Sequence, residues 1–199
     1  MQVSQSELIT SALAGKVVSF PTDTVPALAV KPENSPLIFA AKQRPSNKPL
    51  ILMGASFEDL VPYIQGTAAE VAIWQQVAQK YLPGALTLVL PASERVPAVM
   101  NPTDAQTIGI RIPDHPIAQE ILRQTKPLAT TSANLSGQPP LRLMGEIESN
   151  FPQVVTLDSG NLTPELERGS GTPSTVAKWT GTDWCVIRQG SVQLAVHSG

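Results

Sequence analysis

Cysteine and histidine are nearly absent from this chain. One cysteine, Cys185, occurs in 199 residues, which excludes an intrachain disulfide and any cysteine-based metal site. The only histidines are His115 and His197, so a zinc centre would lack ligands. Charge is also sparse. Charged residues make up 15%, and 14 Lys+Arg stand against 16 Asp+Glu for a formal net charge of −2. That excludes a surface that is basic all over and binds nucleic acid along its whole area, but it leaves room for a local basic cleft. No apolar run approaches the ~20 residues of a membrane span. The start, Met1 to Glu7, lacks the basic and then apolar character of a signal peptide. A soluble, cytosolic protein without membrane contact is expected.

What is present is apolar and heavily punctuated. At 42% hydrophobic the chain can bury one substantial core, and residues 1–199 are expected to form a single domain. The 19 prolines mostly flank apolar runs, as expected of short elements joined by shaped loops. Helices are predicted over 4–14, 36–42, 57–64, 68–81, 115–125 and 141–150, and strands over 16–20, 50–53, 86–90, 107–112, 127–130, 154–157, 174–179 and 184–188. Residues 160–173 read as a long Gly/Thr/Pro loop, the best candidate for a lid by composition and length. The alternation of strands and helices predicts an α/β fold on a mixed sheet. Cys185 reads as a small buried side chain in a strand, with no basic neighbour to activate it.

Several short stretches carry chemistry. Lys42, Arg44 and Lys48 lie within seven positions around Pro45. Three like charges so close repel one another unless an anion lies between them, and guanidinium and ammonium groups both suit phosphate oxygens. Thr131 to Gly137 follows a strand and offers Ser132 and Asn134 as hydrogen-bonding groups, with Gly137 permitting close backbone approach. In open α/β sheets, loops after strands are where ligands sit, although Ser and Asn in such places also cap helices. Pro21-Thr22-Asp23-Thr24-Val25 follows an apolar strand. Its hydroxyls and carboxylate suit an amino acid's polar groups or a hydrated metal, or else close an ordinary Asp/Thr turn. Arg111 ends an apolar strand and needs a partner, either an internal carboxylate or one on a substrate. Ser174, Thr175 and Arg188 raise the same question late in the chain.

Taken in order, residues 21–25, 42–52, 83–90, 110–116, 131–137, 173–176 and 187–190 resemble the motifs of the YrdC-like threonylcarbamoyl-AMP synthase family. The resemblance implies an open, twisted α/β sheet with a positively charged concave face, in a short form without an extra C-terminal domain. It implies synthesis of threonylcarbamoyl-AMP and pyrophosphate from L-threonine, bicarbonate or CO2, and ATP accompanied by Mg2+. The product would feed a threonylcarbamoyl transferase complex acting at position 37 of tRNA. By matching motif, Lys42 and Arg44 are the catalytic cations on the triphosphate. Ser132, Asn134 and Arg188 complete the ATP site, and Thr22, Arg111 and Ser174 surround the threonine. The resemblance also admits a binding module for tRNA or double-stranded RNA without catalysis, or a carbamoyl-adenylate enzyme with a different substrate. Two positions depart from the family pattern. Pro26 stands where a tyrosine is usual, and Met53 where some members carry histidine; both fall near the expected amino-acid pocket.

Overall fold

The computed structural model describes residues 1–42, 48–160 and 162–194. The chain opens with β1 (Gln2–Val3) and α1 (Gln5–Leu13). Ser4 caps α1, its hydroxyl accepting from the Glu7 amide while Glu7 reaches back to the Ser4 amide. This reciprocal box satisfies two amides that the first helical turn leaves orphaned. Next come β2 (Val18–Phe20), β3 (Ala27–Val30), α2 (Pro36–Ala41), β4 (Ile51–Met53), α3 (Phe57–Leu60), α4 (Ala68–Tyr81), β5 (Leu86–Pro91), β6 (Thr107–Arg111) and α5 (Pro116–Thr125). The chain continues through β7 (Leu128–Ser132), α6 (Met144–Asn150), β8 (Val155–Leu157), α7 (Pro164–Arg168), β9 (Thr175–Trp179) and β10 (Trp184–Arg188). Among the described residues no helix is long and apolar enough to cross a membrane.

The strands form one mixed sheet in the order β1-β8-β2-β3-β7-β4-β6-β5-β9-β10. At its centre β3, β7, β4 and β6 lie side by side. Register pairs Ala27 with Ser132, Ile51 with Thr130 and Gly109, and Met53 with Leu128 and Arg111. Side chains alternate across a strand, so the two faces can be read from the register. Leu28, Leu52, Ile110 and Ala129 point one way and are fully buried in the core. Ala27, Ile51, Met53, Arg111, Thr130 and Ser132 share the other face, which continues through Gly109, Val89, Thr87, Val176 and Lys178 by the pairings of β5 and β9. The alternating burial of β9, with Thr175, Ala177 and Trp179 buried and Val176 and Lys178 less so, marks this second face as the open one.

The structure differs from the sequence expectation at several places, the short edge strand β1 among them. Ala27–Val30, not expected as a strand, is a fully buried central one; strands covered on both faces read as continuous apolar runs without alternation. The 160–173 segment contains helix α7, with Thr163 as its cap and Pro164 in its first turn. The 57–64 helix gives way after Leu60 to a 3-10 turn at Val61–Tyr63, because Pro62 lacks the amide a continuing helix would use. Cys185 is exposed: β10 is an edge strand, and its alternation turns Trp184 inward and Cys185 out.

Candidate functional site

A cavity of about 190 Å³ sits on the open face at the sheet's centre. Its floor is sheet: Ala27, Ile51, Met53, Thr130, Ser132 and Arg111. The turn between β2 and β3 supplies Thr24, Val25 and Pro26 as one wall, and Pro173, Ser174 and Arg188 supply the other. Pro49, Ile51 and Arg188 also border a second, larger cavity of about 430 Å³ over β5, β6 and β9, so the two adjoin on one sheet face. The larger one is lined by Lys48, Lys178 and Arg188 as cations, Asp104 as the one carboxylate, and Val89, Val176 and Gly109 as an apolar base.

Arg111 is 4% exposed and its guanidinium is fully organised. Nη2 donates to Asp23 Oδ1 at 2.6 Å, Nη1 to Thr24 Oγ1 at 2.8 Å, and Nε to the Gly84 carbonyl at 3.2 Å. Burial pulls its pKa down from the ordinary arginine value, Asp23 pushes it back up, and the neighbouring Arg188 cation pulls it down again. The buried arginine therefore has the internal carboxylate that the sequence left open as one of two partners. Arg188 is held differently. Its Nε and Nη2 donate to the Ser174 carbonyl at 3.1 and 2.8 Å, and Nη2 reaches the Ser174 hydroxyl at 3.2 Å. Ser174 Oγ also lies 2.8 Å from Thr87 Oγ1. Among the described residues no carboxylate pairs with Arg188. Two guanidiniums thus line one cavity; Arg111 is paired with Asp23, and the positive charge left on Arg188 suits an anionic ligand.

Lys42, capping the C-terminus of α2, is 2% exposed. Its Nζ donates to the Ser132 carbonyl and, at 3.0 Å, to Asn134 Oδ1. The Ser132 hydroxyl donates to that same Asn134 oxygen, and Asn134 Nδ2 donates to the Leu135 and Gln138 carbonyls at 2.8 Å. Lys42 and the Ser/Asn loop, some 90 residues apart, are one constellation beside the smaller cavity.

A family model for Sua5, YciO and YrdC proteins, described as telomere recombination, matches residues 11–190. The chain belongs to the Sua5/YciO/YrdC family. It is 36% identical over 160 residues to a threonylcarbamoyl-AMP synthase of Vibrio vulnificus, covering 78% of this chain and 85% of that one. Among solved structures it is similar to P. abyssi Sua5 in complex with L-threonine, with TM-score 0.81 and 31% identity, covering 96% of this chain and 56% of that one. It is similar too to E. coli YciO, with TM-score 0.78 and 25% identity, covering 95% and 90%. The chain thus spans little more than half of the archaeal Sua5 and most of the bacterial relatives.

Within this family fold, the expected site residues do not all stand in the same relation to the cavities. Arg111, Ser132, Ser174 and Arg188 line the smaller one. Lys42 and Asn134 stand behind Ser132, joined to it by hydrogen bonds. Thr22 is fully buried, its hydroxyl donating to the Val25 carbonyl at 2.7 Å and lying 3.1 Å from Thr24 Oγ1; the threonine of that turn on the cavity wall is Thr24. Arg44 lies outside the described residues. Pro26 and Met53 both line the smaller cavity, so the two departures from the family pattern fall on its wall and floor. The sequence marked the Thr22–Thr24 turn as a candidate and the family motif put Thr22 at the threonine; that Asp23 and Thr24 hold the Arg111 guanidinium was not foreseen. Sequence reasoning also passed over Thr130, whose place on the open face follows only from strand register.

Proposed function

We propose that this protein is a nucleotidyltransferase that makes threonylcarbamoyl-AMP and pyrophosphate from L-threonine, bicarbonate or CO2, and ATP. The observation that supports it best is the pair of adjoining cavities on one sheet face, with Arg188 at their shared border and Arg111 in the smaller. The smaller cavity, with one arginine already organised and a wall of hydroxyls, suits an amino acid: Arg111 takes its carboxylate, while Thr24 and Ser174 lie within reach of its polar groups. The larger cavity, with its apolar base and cationic rim, suits a nucleotide. The Ser132–Asn134 loop, with Lys42 behind it, then lies toward the phosphates, and by family motif Arg44 is a further cation for them.

The chemistry follows from that placement. The threonine amine attacks CO2 and loses a proton, giving a carbamate. One carbamate oxygen attacks the α-phosphorus, the bond from that phosphorus to the bridging oxygen of the β-phosphate breaks, and pyrophosphate leaves with the electron pair. Carbamates decompose in water, so a half-enclosed cavity serves the intermediate. The second step needs alignment and cations more than acid–base groups; Lys42, Arg44 and Arg188 supply the charge. Mg2+ would arrive on the triphosphate's own oxygens, as that ion commonly does. Among the described residues no cluster of three acidic, histidine or cysteine side chains would cage it, and Asp23 is committed to Arg111. The product is a reactive mixed anhydride, so an enzyme transferring the carbamoyl group to an amine, here that of a tRNA adenosine, must consume it.

The test is pyrophosphate release from ATP with threonine and bicarbonate each supplied or withheld. Release that needs both is expected. ATP binding without such release would overturn the proposal.

A further inference from the structure

The family match and the proposed chemistry leave His115 without a task, yet it is a buried ionisable side chain with both ring nitrogens engaged. It is 3% exposed. Its Nδ1 accepts a hydrogen bond from the Ala118 amide at 3.3 Å, capping α5. Its Nε2 lies 2.8 Å from the Leu166 carbonyl oxygen, in α7. A carbonyl only accepts, so Nε2 carries the proton; an amide only donates, so Nδ1 does not. The two contacts together fix one neutral tautomer.

Helix α7 and the residues after it run back to the cavity wall. Ser170 N–H donates to the Asp23 carbonyl at 2.9 Å, and Gly171 N–H to the Thr24 carbonyl at 2.8 Å. Gly169, at φ +57°, brings its backbone so close that a Cβ there would lie 2.5 Å from the Thr22 carbonyl oxygen and 2.6 Å from that of Thr24. Asp23 and Thr24 in turn hold the Arg111 guanidinium. On its outer side the strap is tied to α6 and to the segment after β8: Glu167 accepts from the Met144 amide and from the Ser159 hydroxyl, both at 2.9 Å. One unbroken series of contacts therefore runs from the α5 cap through residues 163–171 to the arginine in the smaller cavity.

We infer that His115 is a positioning residue: through its bond to the Leu166 carbonyl it seats the 163–171 strap on the Asp23–Thr24 turn, and so sets the place of Arg111. This assignment rests on reading the smaller cavity as the amino-acid site. Protonation of the ring would put a proton on Nδ1 and remove the acceptor that Ala118 needs. Burial holds the His115 pKa below its ordinary value, against the opposing effects of the Leu166 carbonyl, Asp23 and Asp114. Those two aspartates, one in the turn and one preceding α5, are the charged groups acting on the ring.

His115→Asn separates the two contacts, because asparagine is a good helix cap and its shorter side chain falls short of Leu166. Three readouts are expected. The Ser170 and Gly171 amides exchange with solvent deuterium at least about tenfold faster. The KM for threonine rises on the order of tenfold while that for ATP holds, as for a misplaced binding group. The low-pH fall in wild-type activity that follows ring protonation is absent from the variant. Unchanged amide exchange, or an equal loss for both substrates, would overturn the inference. Glu167→Ala removes the oxygen that accepts from Met144 and Ser159 and so loosens the same strap from α6 without touching the ring. It should shift exchange and threonine KM in the same directions, and it decides the matter should His115→Asn not fold. The exchange measurement needs no substrate, so it remains decisive even if threonine is not the amino acid used.

Discussion

Replacing Asp23 by asparagine removes the negative charge paired with the buried Arg111 guanidinium while keeping the shape of the turn. At 2.6 Å, the Arg111–Asp23 attraction is worth about 6 kcal/mol at an effective dielectric constant of about 20. Desolvation offsets much of that in the intact pair, but it is not recovered when one partner is removed. Breaking a buried pair in this way typically costs about 3–5 kcal/mol. Asp23 is 15% exposed against 4% for Arg111, asparagine still offers a neutral acceptor, and Thr24 and Gly84 keep their bonds to the guanidinium. The lower end, about 3 kcal/mol, is the expectation. For a chain of this length that corresponds to a fall of roughly 6–12 °C in the melting temperature. Thermal unfolding followed by circular dichroism reads it directly. The double variant Asp23→Asn, Arg111→Met removes both charges and should recover much of the loss, because an apolar replacement of a buried pair is often neutral. A single variant melting within about 2 °C of wild type, or a double variant no better than the single, would refute the claim that Asp23 neutralises a buried arginine.

Three further outcomes follow from the same geometry. Lys42→Met keeps the side chain's length but removes the charge and the bonds to Ser132 and Asn134; kcat for pyrophosphate release should fall about 10²–10³-fold, as for loss of one preorganised donor. Gly169→Ala forces a Cβ against the Thr22 and Thr24 carbonyls at a positive φ, where neither backbone can yield cheaply; stability should fall by at least about 1 kcal/mol, read by urea unfolding. Stability should also depend on pH through His115. The unfolded chain takes up its proton at about pH 6.5 and the folded chain only at lower pH. The unfolded state therefore binds more protons just below pH 6.5, and stability is lost as pH falls there, by up to ~1.4 kcal/mol per pH unit. His115→Asn should lack this component in unfolding curves taken between pH 5 and 7.

The sequence exposed chemistry better than it exposed partnership. The cationic stretch and the Ser/Asn loop were visible as separate candidates, but nothing local shows that Lys42 points into the protein and meets Ser132 and Asn134 across the sheet. In the Thr-Asp-Thr turn the residue types were legible. Which hydroxyl faces the cavity depends on a turn conformation in which Thr22 bonds the Val25 carbonyl and Thr24 is left for Arg111. The cap signal of α7 was present, as threonine before proline at 163–164, but the Gly/Thr/Pro-rich surroundings obscured it. His115 marked a helix start correctly; its second bond goes to a backbone carbonyl, which has no sequence signature at all. Cys185 was misread because edge position, which leaves one face of a strand open, is a property of the assembled sheet rather than of the strand.

The most direct test of the central claim is to incubate the protein with ATP, L-threonine and isotopically labelled bicarbonate, and to search for a labelled adenylate by mass spectrometry. The account predicts threonylcarbamoyl-AMP carrying the label from bicarbonate, formed in step with pyrophosphate and lost in Lys42→Met. Pyrophosphate release that yields an adenylate without that label, or no adenylate from a protein shown to bind ATP, would contradict it.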